Sequence, residues 1–133
     1  MKFFAITTIL FVSVCAFAQA PQLDEKAEKE FREKIEQSVE DMERTYDLED
    51  WQTFYVDSIL TYNSIHRRDE LLELQASKVS VEDAYQRVDD KWMEATYQAF
   101  QKIFDEKQWN KYLKSGAAKD KKSRDKREEK RKQ

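Results

Sequence analysis

Residues 48–65 carry many large apolar side chains in a stretch without Gly or Pro. The apolar positions are Trp51, Phe54, Tyr55, Val56, Ile59, Leu60, Tyr62 and Ile65. At 3.6 residues per turn these side chains cover more than half of a helix circumference, which is typical of a helix that other elements surround. The pattern therefore predicts a long helix, continuing without a breaker to about residue 76, at the centre of a helical bundle.

The segments on either side carry narrower apolar stripes. Residues 23–46 place an apolar side chain at every third or fourth position, and acidic residues stand four positions before basic ones, which predicts an outer helix with one buried edge. Residues 81–103 carry a stripe that widens toward its end. We therefore expect the bundle to be thicker where this third helix finishes.

Polar side chains suited to cap a helix mark the predicted starts. Asp24 precedes the first helix and Ser80 precedes the third. For the central helix we expect Asp47 as the N-cap, because Tyr46 and Trp51 then occupy the two positions of a hydrophobic staple.

A short fourth helix is specified locally in residues 105–116. Asp105 followed by Gln108 has the spacing of a capping box, and Phe104 and Trp109 fit its staple. Gly116 can adopt the left-handed conformation that closes a helix.

Composition agrees with helices throughout. The chain has one Gly and one Pro, 38% charged residues and 13% aromatic residues. Few breakers favour helices over sheets or long loops, and the aromatic content indicates a packed core. We predict an all-α domain over residues 21–116, a small helical bundle of three long helices and one short helix.

Residues 1–20 have the pattern of a secretory signal peptide, with an apolar run over residues 3–18 and a small-residue ending at Ala20. Cleavage would remove Cys15, the single cysteine, and leave a periplasmic or secreted chain without disulfides. Two alternatives stay open. One is an uncleaved membrane anchor, although a bilayer span needs ~20 residues; the other is a lipoprotein lipidated at Cys15.

Charge is unevenly distributed along the chain. Residues 21–116 contain 14 Lys and Arg against 23 Asp and Glu, whereas residues 117–133 contain 9 against 4. The final segment has no apolar side chain beyond two alanines, so we expect a basic tail that buries nothing and is solvated or partly helical. The tail is either a solubilising end or a weak contact to an anionic envelope surface. It lacks the interleaved aromatics of a nucleic-acid binder.

Candidate catalytic groups are few. His66 is the only histidine, and as a general base it would need an orienting carboxylate. The adjacent carboxylates Asp89 with Asp90, and Glu49 with Asp50, point in different directions on a helix and form no ready chelate. The sequence therefore predicts a non-catalytic protein without a metal or a cofactor. An enzyme would need a deep pocket with perturbed carboxylates.

Two five-residue segments place an apolar residue and a Gln at the same spacing near a helix start. They are LEDWQ at residues 48–52 and FDEKQ at residues 104–108. The pair resembles the two LTxxQ motifs of the Spy and CpxP group of small periplasmic helical proteins, with both copies lacking the Thr. The resemblance implies a thin, curved, all-helical homodimer that binds unfolding envelope proteins without ATP or restrains a stress sensor.

The partner surface is expected to depend on aromatic side chains, because this domain is acidic whereas the resemblance implies basic concave faces. The candidates are Trp51, Tyr55, Tyr62, Tyr97 and Trp109. Each of these could instead belong to the core. The leading hypothesis is a periplasmic chaperone-like or envelope-stress adaptor protein that binds protein clients. The alternative is an interaction module that docks one specific envelope partner through its aromatic surface.

Overall fold

The structure is a computed structural model that describes residues 23–133, so the predicted signal peptide at residues 1–20 lies outside the described residues. Residues 23–133 contain helices and no β-strand, which confirms the predicted all-α class. The helices are α1 (Glu25–Tyr46), α2 (Asp50–Ala76), α3 (Glu82–Ile103), α4 (Glu106–Tyr112) and α5 (Ala118–Arg131), with a π-helical segment (Leu113–Ala117) between α4 and α5.

Helix α2 lies between α1 and α3. It packs against both, and the short connections make each neighbour antiparallel to it. Helix α4 begins where α3 ends and contacts α1, and α5 then runs back along α3. The long elements therefore lie side by side in the order α1, α2, α3, α5, with α4 at one end.

The apolar core lies at the end where α1 and α3 finish and α2 and α4 begin. Its buried members are Val39, Tyr46, Leu48, Val56, Phe100 and Phe104. Val56 is 0% and Phe100 is 2% exposed, and a buried side chain of this size contributes about 1.5–3 kcal/mol. The Tyr112 ring packs against Phe100 and Phe104, and burial raises the pKa of Tyr112 to about 12. The core is thus at the end of α3, where its apolar stripe is widest.

Two of the predicted caps are present. Asp24 Oδ1 accepts a hydrogen bond from the Ala27 N–H at 2.8 Å, and Asp105 Oδ1 accepts one from the Gln108 N–H at 2.8 Å. The cap predicted at Ser80 is wrong, because α3 begins one residue later with Val81 in the N-cap position and no side-chain cap.

The predicted start of α2 is also wrong. Asp47 has φ 51° and ψ 55°, and its N–H donates to the Glu43 carbonyl, so Asp47 ends α1. The N-cap of α2 is Glu49. The staple is absent as well, since the Tyr46 ring packs on Phe104 with centroids 5.5 Å apart. The left-handed residue shortens the connection and lets Leu48 enter the core.

Helix α2 is not surrounded on all sides, contrary to the prediction. Gln52 and Val56 are its only buried residues. Trp51, Phe54 and Tyr62 are 50%, 67% and 59% exposed. An apolar pattern measures how wide an apolar surface is, but it does not state how many helices are available to cover it. In this fold α2 has two lateral neighbours, and one face stays open.

Residues 118–131 form α5, which docks on α3 through ion pairs. The expectation that this segment buries nothing is wrong, since Ala117 and Arg124 are buried. The interhelical pairs include Arg124 Nε with Glu94 Oε2 at 3.2 Å, Arg127 Nη2 with Asp90 Oδ1 at 2.6 Å, and Arg131 Nε with Asp83 Oδ1 at 3.1 Å. Charge thus replaces the missing apolar side chains.

Gly116 lies in the π-helical segment that follows α4, and it has the positive φ expected of it, 115°. The helical path then continues as α5 after a kink at this residue. A residue with a side chain adopts such a φ only with strain, so glycine permits the turn that lays α5 along α3.

The docking of α5 should depend on pH. Hydrogen bonds from Arg127 lower the pKa of Asp90, and hydrogen bonds from Arg87 and Arg131 lower the pKa of Asp83. A carboxylate with a lowered pKa stabilises the fold above its ordinary pKa of 3.8 and loses that contribution as the pH falls below it. We therefore expect α5 to loosen below pH ~4 and, because salt screens exposed pairs, at high ionic strength.

Replacing Asp90 with Asn should release α5 at neutral pH, because Asp90 pairs with both Arg127 and Arg131. Loss of about 1 kcal/mol of ion pairing corresponds to roughly fivefold faster hydrogen–deuterium exchange of residues 118–131. Asp125→Asn is the control, since Asp125 pairs with Lys121 within α5 itself. Equal exchange in the two variants would contradict electrostatic docking.

Candidate functional site

The two cap motifs meet in the interior at the core end of the layer. Leu48 and Phe104, their first residues, are both buried, and so are their last residues, Gln52 and Gln108. Gln52 Nε2 donates to Gln108 Oε1 at 2.6 Å, and Gln108 Nε2 donates to Gln52 Oε1 at 3.0 Å. We call this reciprocal contact the glutamine pair.

Each member of the glutamine pair also caps its own helix. Gln52 Oε1 accepts from the Glu49 N–H at 3.0 Å, and Gln108 Oε1 accepts from the Asp105 N–H at 2.9 Å. The remaining amide hydrogens go to the residue that precedes the opposite motif. Gln52 Nε2 donates to the Ile103 carbonyl at 2.8 Å, and Gln108 Nε2 to the Asp47 carbonyl at 3.3 Å. The two starts are thus related by an approximate local two-fold symmetry.

The aromatic face of α2, defined as Trp51, Phe54, Tyr55 and Tyr62, is exposed. Tyr55 is 50% exposed, and its ring packs edge-on against Trp51 at 6.3 Å and Phe54 at 5.6 Å. The Trp51 indole Nε1 donates to Glu49 Oε2 at 2.6 Å, which fixes this ring beside the start of α2. The face presents large amphipathic rings to solvent in a preformed arrangement.

Tyr62 extends the aromatic face toward α3. Its ring lies 4.1 Å from the His66 ring and 6.1 Å from Trp92. His66 is half-buried and stacks on Trp92 with centroids 5.4 Å apart. The histidine thus belongs to an aromatic stack between α2 and α3.

Tyr97 and Trp109 do not join the aromatic face. Both are half-buried, and their rings pack against each other with centroids 4.9 Å apart. The Arg124 guanidinium lies 5.5 Å from the centre of the Tyr97 ring. These two candidates therefore pack α4 and α5 onto α3, whereas Trp51, Tyr55 and Tyr62 share one exposed stripe.

Phe54 is a member of the aromatic face that the candidate set omits, although it is the most exposed at 67%. The residues beside Phe54 on the helix surface indicate that it is exposed. Asp57, Ser58 and Thr61 stand three, four and seven positions after Phe54 and are all polar, so this side of α2 faces solvent.

The adjacent carboxylates have structural partners. Asp89 Oδ1 accepts from Arg67 Nε at 2.7 Å, and Asp90 pairs with α5, so each ties α3 to a different helix. Within residues 23–133 no three His, Asp or Glu side chains come together in a group that could hold a metal ion. The aromatic face contains the large apolar side chains of α2 that are exposed to solvent.

Comparisons of the chain with protein-family models, with curated proteins and with solved structures give no match. Among the helices of residues 23–133, none combines the length and apolar character needed to cross a membrane.

The glutamine pair should make the two motifs energetically coupled. Replacing Gln52 with Leu leaves the buried Gln108 amide short of partners, at a cost of about 1–3 kcal/mol in the free energy of unfolding. The double change of Gln52 and Gln108 to Leu should cost less than the sum of the single changes, with a coupling of roughly 0.5–3 kcal/mol in urea titrations. Gln75→Leu, at an exposed position, serves as the control. Additive costs would show that the glutamines act independently.

Proposed function

We propose that this protein is an exported, non-catalytic polypeptide-binding protein that acts as a periplasmic chaperone-like or envelope-stress adaptor protein. The observation that carries this proposal is the exposure of the aromatic face on α2. The Tyr55 ring packs against both Trp51 and Phe54, and all three rings are at least 50% exposed. Clustered exposed apolar rings mark interaction surfaces on soluble proteins.

The chemistry of the aromatic face suits unfolding polypeptides. Trp and Tyr rings bury much apolar area and offer a hydrogen bond at the rim, so they contact varied side chains without a shaped pocket. The rings stand on one side of a layer of helices, and no described element lies over them. An extended client segment could therefore lie along α2 without displacing any part of the fold.

The resemblance to the Spy and CpxP group also supports the proposal. The motifs at residues 48–52 and 104–108 correspond in spacing, and their glutamines meet in a local two-fold arrangement. A thin helical layer with open faces is what the resemblance implies. The predicted signal peptide would place such a protein in the cell envelope, where ATP is absent and binding must be passive.

The alternative proposal, docking of one specific envelope partner, has one observation in its favour. The Trp51 indole is held by Glu49 Oε2, so its ring is fixed before any partner arrives. Preformed aromatic anchors are typical of hot spots in specific interfaces. Pull-down from an envelope extract separates the two cases, since a chaperone returns many proteins and a docking module returns one.

The proposal predicts that the purified protein suppresses aggregation of reduced lysozyme and reduced α-lactalbumin, followed by light scattering. Phe54→Ser with Tyr55→Ser should raise the concentration for half suppression by about tenfold, because two exposed rings are removed from the binding surface. The matched control is Val81→Ser with Met93→Ser, which removes two apolar side chains that are exposed on α3 and its cap.

Far-ultraviolet circular dichroism should be unchanged in both double variants, since none of the four side chains is buried. Absence of protection at several-fold molar excess over either client would remove the chaperone proposal. Equal loss in the two double variants would remove the aromatic face as its site.

A further inference from the structure

A groove between α1 and α2 borders the aromatic face at Phe54. It encloses about 460 Å³, within the range of small-ligand and side-chain sites. Ile35 and Val39 of α1, 9% and 8% exposed, belong to its apolar lining. We call this feature the acidic groove, for the carboxylates described next.

Three carboxylates line the acidic groove: Glu36 and Glu40 from α1 and Asp57 from α2. Within residues 23–133 none of the three has a Lys or Arg nitrogen within 4.0 Å. The one cation in the lining, Arg32, is paired with Glu28 at 2.9 Å. The groove therefore carries uncompensated negative charge above an apolar floor.

Local pairing explains why the carboxylate of Glu40 is left without a partner. The i, i+4 spacing predicts a pair between Glu40 and Arg44, but Arg44 pairs with Asp41. The Thr53 hydroxyl also lines the groove and has no hydrogen-bond partner among the described residues.

A second groove between the same two helices differs in charge. It encloses about 410 Å³ and is lined by Lys34, Arg67 and Arg68, with apolar side chains between them. Arg68 Nη1 pairs with Glu28 at 2.6 Å, and Arg67 Nε pairs with Asp89 at 2.7 Å. Arg68 also pairs with Asp69 at 2.8 Å, whereas Lys34 has no carboxylate partner among residues 23–133. The charge left to pair is therefore positive in this groove and negative in the acidic groove.

We propose that the acidic groove binds Lys or Arg side chains of an extended polypeptide whose apolar residues lie on the aromatic face. The proposal rests on the proposed function and names its partner class, cationic segments that also contain apolar residues. Charge complementarity selects this occupant, because the apolar floor receives the methylene stem of a long basic side chain while its cation meets Glu36, Glu40 and Asp57.

The test uses three fluorescein-labelled twelve-residue peptides with the same apolar residues and either Lys and Arg, Ser and Gln, or Asp and Glu between them. Fluorescence anisotropy with the full protein should give roughly tenfold tighter binding of the cationic peptide than of the neutral one at 20 mM NaCl. The difference should shrink at 300 mM NaCl, where the Debye length falls to about 6 Å.

A triple variant, Glu36→Gln, Glu40→Gln and Asp57→Asn, should weaken the cationic peptide by about tenfold and leave the neutral peptide unchanged. The control removes the same number of charges from exposed positions elsewhere, Glu33→Gln, Asp120→Asn and Glu129→Gln. It should leave the preference for the cationic peptide intact.

Each outcome decides one proposal. Equal affinity for the cationic and neutral peptides, or equal weakening in the two triple variants, overturns the acidic groove and leaves the aromatic face as a client site. Tighter binding of the anionic peptide also overturns it. Failure of every peptide to bind, together with no suppression of aggregation, overturns the proposed function itself.

Discussion

The glutamine pair caps two helices and also joins them to each other, two roles that separate side chains fill in most helices. Gln52 and Gln108 each cap their own helix with the same amide oxygen that receives a hydrogen bond from the other glutamine. Because both side chains are buried, sliding one helix by a residue would leave amide groups without partners, at about 1–3 kcal/mol for each. The pair therefore fixes the register in which α2 and α4 meet, and with it the entry of Leu48 and Phe104 into the core.

With this register the apolar packing is concentrated where α1 and α3 end and α2 and α4 begin, and the rest of the fold is a thin layer of helices. Beyond the core end, α2 is held from the sides by α1 and α3, and α5 reaches α3 through arginine pairs such as Arg127 with Asp90. The apolar side chains gather around Val56 and Phe100, and among residues 23–133 no further helix covers the outer side of α2. The aromatic face therefore stays open because α2 has few packing partners, and these partners are the helices that form the core.

Local signals predicted most helices because their chemistry is local. Asp24 and Asp105 cap as expected, since each needs only a backbone N–H three residues away. The start of α2 was not predicted, because it depends on a contact between distant residues. Gln52 accepts a hydrogen bond from the N–H of the N-cap Glu49, and the Gln52 amide is itself held by Gln108. The exposure of Trp51, Tyr55 and Tyr62 was not predicted, because the periodicity of apolar positions does not show how many helices pack against a helix.

The basic tail folds onto α3 as α5, and this position also determines where unpaired surface charge remains. Arginines of α5 occur at spacings of three and four, and the acids of α3 that they meet are separated by seven and four, so two helical faces match in charge. The arginines of α5 therefore pair with acids of α3, whereas three acids of α1 and α2 stay without a Lys or Arg partner among residues 23–133. Glu36, Glu40 and Asp57 lie in the acidic groove beside Phe54 without a Lys or Arg partner, since Arg44 of α1 pairs with Asp41 and the arginines of α5 pair on α3.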